Sequence, residues 1–275
     1  MKQRAHYDLL QVALAAVVEA SAEIIRVYRE GFSPNYKRDG SPVTQADLVS
    51  NSVIERYLSA TEIPLLTEES VHAPYEERQE WEQLWCVDPL DGTKEFIKRN
   101  DEFAINIALI ERKKPVLGII ASPVEELILV GGKEVQPAVI PFAGISDRTA
   151  WQLIRRKTEI NSPIVIASSR TPHSGATLDY IRKTNAEFGP HTFLKKGSAL
   201  KFFDLALGKA DIYPRFAPTM EWDIAAGQAI MESLGGSVYH AISGESLHYN
   251  KANLLNPYFI VNSHAVNQYF ERNAQ

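Results

Sequence analysis

From His6 to Tyr28, apolar residues return at Leu10, Ala13, Leu14, Val17, Val18, Ile24, Ile25 and Tyr28, the spacing of a helix with one buried face. Gly31, Pro34 and Gly40 interrupt the pattern. Thr44 then caps a second predicted helix, which carries Leu48, Val49, Val53, Ile54 and Tyr57 and ends near Ser59. Residues 84–87 read as a short strand running into a sharp Asp88-Pro89 turn. The apolar stretches 103–110, 115–121 and 126–130 are separated by Glu111-Arg112-Lys113-Lys114 and by Ser122-Pro123, which predicts an antiparallel meander.

Between 131 and 162 the pattern weakens to a short helix near 147–156, and the change of domain is placed here, dividing the chain into 1–150 and 151–275. Beyond it come strand 164–167, helices 175–183 and 199–208, strand 211–216 and helix 223–234, which Gly235-Gly236 stops. Strands 238–240 and 259–262 and a short terminal helix complete the chain. The first half is therefore expected to be α+β and the second α/β.

Composition narrows the class. Of 275 residues, 45% are hydrophobic and 23% charged, ordinary globular usage with neither a low-complexity segment nor a repeat. A formal charge of −5 disfavours nucleic acid as a partner, so any basic pocket must be assembled locally. Cys86 is the single cysteine, which rules out an intrachain disulfide and suits a reducing, cytoplasmic setting. The apolar run 12–18 is far shorter than the roughly 20 residues that span a bilayer. No transmembrane segment is expected, although peripheral attachment at the inner face of the cell membrane needs none.

The chemistry concentrates in Asp88-Pro89-Leu90-Asp91-Gly92-Thr93. A turn at the end of a strand can aim two carboxylates and the Leu90 carbonyl at one point, a set of hard oxygen donors suited to Mg²⁺. Gly92 permits close backbone approach, and a helix beginning at Thr93 would turn its first N–H groups toward a phosphate. Spacing alone favours an ordinary Asp-rich turn over a metal site. Glu68-Glu69 after an apolar run, and Asp223 at a helix start, add acidic groups that can equally be a solvated loop and a helix cap.

Three ordered stretches carry a resemblance: Thr67-Glu68-Glu69-Ser70, then Trp85-Cys86-Val87-Asp88-Pro89-Leu90-Asp91-Gly92-Thr93, then Trp222-Asp223-Ile224-Ala225-Ala226-Gly227. Together they resemble the signatures of the inositol-monophosphatase-like superfamily over about residues 7–262. The resemblance implies a five-layered α/β/α/β/α sandwich with the site between two halves. Within the superfamily the chain is most similar to the 3'(2'),5'-bisphosphate nucleotidases of the CysQ type. That closer likeness rests on Lys94-Glu95-Phe96-Ile97-Lys98-Arg99-Asn100, Gly197-Ser198-Ala199-Leu200-Lys201-Phe202 and Tyr213-Pro214-Arg215-Phe216-Ala217-Pro218-Thr219. Inositol monophosphatases usually carry Thr-Asn where Lys94-Glu95 stands.

The resemblance implies that Glu68, Asp88, Asp91 and Asp223, with the Leu90 carbonyl, hold two or three Mg²⁺ ions, Glu69 being the weaker candidate of its pair. Thr93 and Asp47 would orient and deprotonate the attacking water, with Glu68 beside them, and Gly92 would touch the phosphate. His173, Ser198, Lys201 and Arg215 would meet a bisphosphorylated nucleotide. The implied reaction is hydrolysis of 3'-phosphoadenosine 5'-phosphate, and of 3'-phosphoadenylyl sulfate as a second substrate, in sulfur assimilation, with sensitivity to lithium. An inositol- or other sugar-phosphate phosphatase is the alternative. A non-catalytic metal- or phosphate-binding module is disfavoured by the Asp47 and Thr93 pairing.

Overall fold

The computed structural model describes residues 2–37, 40–170 and 175–274. Helix α1 (Lys2–Glu30) returns through a small hairpin, β1 (Asn35–Tyr36) with β2 (Pro42–Val43), into α2 (Gln45–Leu58), and the two helices pack against each other. Thr44 caps α2 as its sequence predicts, accepting the Ala46 N–H on its side-chain oxygen at 3.1 Å.

The helices cover one face of a seven-stranded sheet. Its strands follow chain order: β3 (Leu65–Thr67), β4 (Gln83–Asp91), β5 (Ala104–Glu111), β6 (Lys114–Ser122), β7 (Leu127–Gly132), β8 (Ala138–Pro141) and β9 (Gln152–Leu153). Only β3 and β4 run parallel, joined through α3 (Tyr75–Arg78); the rest form the expected meander. Both faces of this sheet are buried, so its strands read as continuous apolar runs. Alternation assigns the sides: Ile105, Ile107 and Leu109 of β5 pack under α1 and α2, while Ala104, Ala108 and Ile110 face the middle of the molecule.

A short helix, α4 (Thr93–Ile97), follows β4. The second sheet contains β10 (Ile164–Ser168), β11 (His191–Lys195), β12 (Ile212–Arg215), β13 (Ser237–His240) and β14 (Phe259–Asn262), in spatial order β11-β10-β12-β14-β13. Helices α5 (Ala176–Phe188) and α8 (His264–Asn273) lie on its outer face, where Ile164, Ile212, Ile260 and Val266 form a small core. Helices α6 (Lys201–Ala206) and α7 (Glu221–Ser233) fill the space between the sheets within one shared core. The layers run α/β/α/β/α, as the resemblance implies.

Helix α7 sits directly on the large sheet. A Cβ on Gly118 of β6 would stand 2.1 Å from the Ala226 carbonyl oxygen, so only glycine allows this approach. Segment 147–156 departs from its expected helix: a 3-10 turn (Arg148–Ala150) gives way to β9. There Asp147 accepts the Thr149 N–H at 2.9 Å, Trp151 inserts its ring and donates to the Gly144 carbonyl at 3.1 Å, and the open edge of β8 captures the following residues. Strands β8 and β11 lie in stretches whose pattern gave no strand signal; β11 is a largely exposed edge strand without a buried stripe.

Candidate metal centre

Strand β4 carries the site at its C-terminal end. The ladder with β5 is regular from Gln83 to Asp88, breaks, and resumes only at Asp91 opposite Ala104. Pro89 removes a donor at the break. Ser50 of α2 donates to the freed Pro89 carbonyl at 2.6 Å, and Asp88 turns one oxygen back to accept the Leu90 N–H at 3.0 Å. The predicted turn is therefore an irregularity within the strand, pinned from the α2 side. Gly92, at φ +95°, is the residue the next step requires, and a Cβ there would meet the Glu102 carbonyl at 3.0 Å and Ser198 Cβ at 3.2 Å.

Carboxylate oxygens of Glu68, Asp88 and Asp223 all lie within 4.8 Å of one another. They arrive on three elements: the end of β3, β4 and the first turn of α7. Asp223 has two uses at once, because Oδ2 accepts the Met220 N–H at 2.9 Å and so caps α7. Its cap and ligand readings are therefore compatible. Asp91 stands slightly apart: its Oδ2 accepts the Ala199 N–H at 2.5 Å and lies 3.4 Å from Asn106 Nδ2.

The electrostatics show what such a cluster needs. Burial, then the charges of Glu68, Asp91 and Asp223, push the Asp88 carboxyl well above the ordinary range. Burial and the neighbouring Asp91 do the same to Asp223. Asp91 is pushed up to about 6, chiefly by burial, with Lys201 opposing. Carboxylates crowded in this way ionise together only beside compensating positive charge. Part of that charge comes from the chain itself: Lys37, on the β1–β2 hairpin, donates to Glu68 Oε1 at 2.9 Å and to Glu69 Oε1 at 2.6 Å. Its ammonium stands where a cation would meet Glu68. All the clustered donors are hard oxygens, and this set fits Mg²⁺ rather than a thiophilic metal; the Leu90 carbonyl, of the same donor type, lies 3.4 Å from the Thr93 hydroxyl.

Asp47 is 1% exposed, so it lies on the buried side of α2 and not on its open face. Its Oδ2 closes the capping box by accepting from the Thr44 N–H and hydroxyl, both at 2.7 Å, while Oδ1 accepts the Thr93 hydroxyl at 2.9 Å. Burial raises the Asp47 carboxyl above its ordinary range despite these donors.

The positions expected near a nucleotide divide. Arg215 lies close enough to favour the charged form of Asp223, and its Nε is buried without an acceptor among the described residues. Ser198 sits at φ +44° against Gly92. Lys201 is 4% exposed, and its ammonium donates to the Ser198 and Lys196 carbonyls at 2.5 and 3.2 Å, so it braces the loop from beneath. His173 lies outside the described residues. Tyr213 and Trp222 are buried in the core. Sequence reasoning passed over Lys37, Ser50 and Asn106. A lone Asn within the apolar run of β5, paired in register with Asp88, was the one available signal.

A family model described as the inositol monophosphatase family matches residues 6–272. The chain is 38% identical over 252 residues to the 3'(2'),5'-bisphosphate nucleotidase CysQ of Salmonella typhimurium, covering 88% of this chain and 94% of that protein. The crystal structure of CysQ from Bacteroides thetaiotaomicron superposes with a TM-score of 0.80 at 36% identity, covering 92% and 96% of the two chains. An IMPase/NADP phosphatase complexed with Mg²⁺ and phosphate shares the fold, with a TM-score of 0.74 at 18% identity over 98% and 94%. Fold, motif order and these matches agree: the chain belongs to the inositol monophosphatase family.

Proposed function

We propose that the protein is a Mg²⁺-dependent 3'(2'),5'-bisphosphate nucleotidase, hydrolysing 3'-phosphoadenosine 5'-phosphate to AMP and phosphate. 3'-Phosphoadenylyl sulfate is a second substrate in this reading. The observation that carries the chemistry is the convergence of Glu68, Asp88 and Asp223 within 4.8 Å beside the Asp47–Thr93 hydrogen bond. Relatives named as bisphosphate nucleotidases at 37–38% identity over most of the chain support the substrate.

Glu68, Asp88, Asp91 and Asp223, with the Leu90 carbonyl, would hold two or three ions. Bound Mg²⁺ supplies charge neutralisation at the phosphoryl oxygens and acidifies the attacking water. Thr93 donates a hydrogen bond to Asp47, turning its own lone pairs toward the attacking water so that the pair can orient it and take up its proton. Asp47 is held for this task because the capping box fixes its other oxygen, and burial makes it a stronger base than an exposed aspartate. Gly92 and Thr93, at the start of α4, offer backbone N–H groups to the phosphate. Arg215, Ser198 and His173 serve the nucleotide, and Lys201 supports them through the loop carbonyls. In this reading 1–150 contributes the ligands except Asp223, and 151–275 the nucleotide contacts.

Among the described residues no helix is long and apolar enough to cross a membrane. With Cys86 free and buried, we place the enzyme in the cytoplasm, in sulfur assimilation. The test is phosphate release by purified protein with Mg²⁺ from 3'-phosphoadenosine 5'-phosphate and, separately, from inositol 1-phosphate. Preference for the former is expected. Faster turnover of inositol phosphate would overturn the substrate, and release from neither would overturn the activity.

A further inference from the structure

Glu102 lies outside the acidic cluster, yet it is tied to the loop beside it. Its Oε2 accepts the Gly197 N–H at 2.9 Å. Both its oxygens engage one arginine: Arg170 Nε donates to Oε2 at 2.7 Å and Nη2 to Oε1 at 2.6 Å. A Cβ on Gly197 would come within 3.0 Å of the Glu102 carbonyl, so the two backbones meet closely. Two residues further, Ala199 bonds Asp91. The run Gly197-Ser198-Ala199 is thus stitched to the metal turn by Asp91 and to Arg170 by Glu102.

An exposed ion pair contributes little stability. Stability is therefore a poor account of a carboxylate 13% exposed that commits both oxygens to an arginine 57% exposed. Pre-organisation accounts for it better. The fork fixes the guanidinium through its Nε and Nη2 edge and leaves Nη1 outside, while the rotamer freedom that an anion would otherwise have to quench is already gone. The other cation expected to meet the nucleotide from this loop, Lys201, commits two of its three ammonium protons to backbone carbonyls.

We infer that Arg170, held by Glu102 as a positioning residue, contacts the non-reacting phosphate of the substrate and sets the preference for bisphosphorylated over monophosphorylated nucleotides. This rests on the nucleotidase reading above. The test compares 3'-phosphoadenosine 5'-phosphate with 3'-AMP, which presents the same scissile phosphate and lacks the other. Steady-state kinetics with Mg²⁺ are measured for the parent protein, Arg170→Ala, Arg170→Lys and Glu102→Gln. Arg170→Ala is expected to lower the ratio of kcat/KM for the two substrates by about tenfold or more, through KM for the bisphosphate. Arg170→Lys, which keeps the charge without the fork, recovers part of the ratio. Glu102→Gln retains an acceptor for Gly197 but releases the guanidinium, and lowers the ratio severalfold. An unchanged ratio in Arg170→Ala, or equal losses on both substrates, overturns the inference while leaving the nucleotidase reading intact. A parent protein with no preference for the bisphosphate would sink that reading itself.

Discussion

Removing the metal should make this protein less stable as pH rises through the mildly acidic range. Asp91 titrates near 3.8 in the unfolded chain and at about 6 in the folded one, mainly because it is buried. Its folded carboxyl is thus held protonated, and the contribution is fully present below pH 4 and lost as pH climbs through 6. That displacement corresponds to about 3 kcal/mol from Asp91 alone. Asp88 and Asp223, pushed well above the ordinary range by burial and by one another's charge, extend the loss above pH 6. For a chain of this size 3 kcal/mol is about 5 °C in melting temperature. The assay is thermal unfolding between pH 4.5 and 8, once with a chelator and once with saturating Mg²⁺. The chelated protein should lose at least that much across the range, and Mg²⁺ should restore more the higher the pH, since the ion favours ionised carboxylates. Asp91→Asn should flatten the chelated curve. A chelated melting temperature that rises or stays level from pH 5 to 7 would refute the account of a site short of positive charge.

Three substitutions separate ligand, base and packing. Asp223→Asn should cut phosphate release by at least about a hundredfold and raise the Mg²⁺ concentration needed for half activity, whereas near-normal rates at ordinary Mg²⁺ would exclude it as a ligand. Thr93→Val removes the hydrogen bond to Asp47, and kcat should fall about 10²- to 10⁴-fold with little change in KM; an effect confined to KM would deny the pair its role toward water. Gly118→Ala forces a methyl group against the Ala226 carbonyl, and denaturant unfolding should register a loss of about 3 kcal/mol or more. A loss under 1 kcal/mol there would mean that α7 can lift from the sheet.

The sequence by itself determined most elements, because their patterns answer to local rules. Helix α1 follows a single apolar face, α2 announces its cap at Thr44, and β5 to β7 are apolar runs cut by charged turns. It also singled out every carboxylate of the acidic cluster, since a short ordered motif needs no geometry to be noticed. Partners across the fold were another matter. Whether Asp223 caps a helix or meets Glu68 and Asp88 depended on how α7 docks on the large sheet, and the docked helix does both. The burial of Asp47 against Thr93 likewise came only with the packing of α2 on the sheet. Lys37 lies 31 residues from Glu68 and shares no periodicity with it, and the bonds of Lys201 to the carbonyls of its own loop have no signal in the pattern either. Spacing along a strand or helix fixes which face a side chain takes, so elements and their motifs are legible in one dimension. Which charge faces which is set by the packing of elements distant in sequence, and that only the tertiary structure decided.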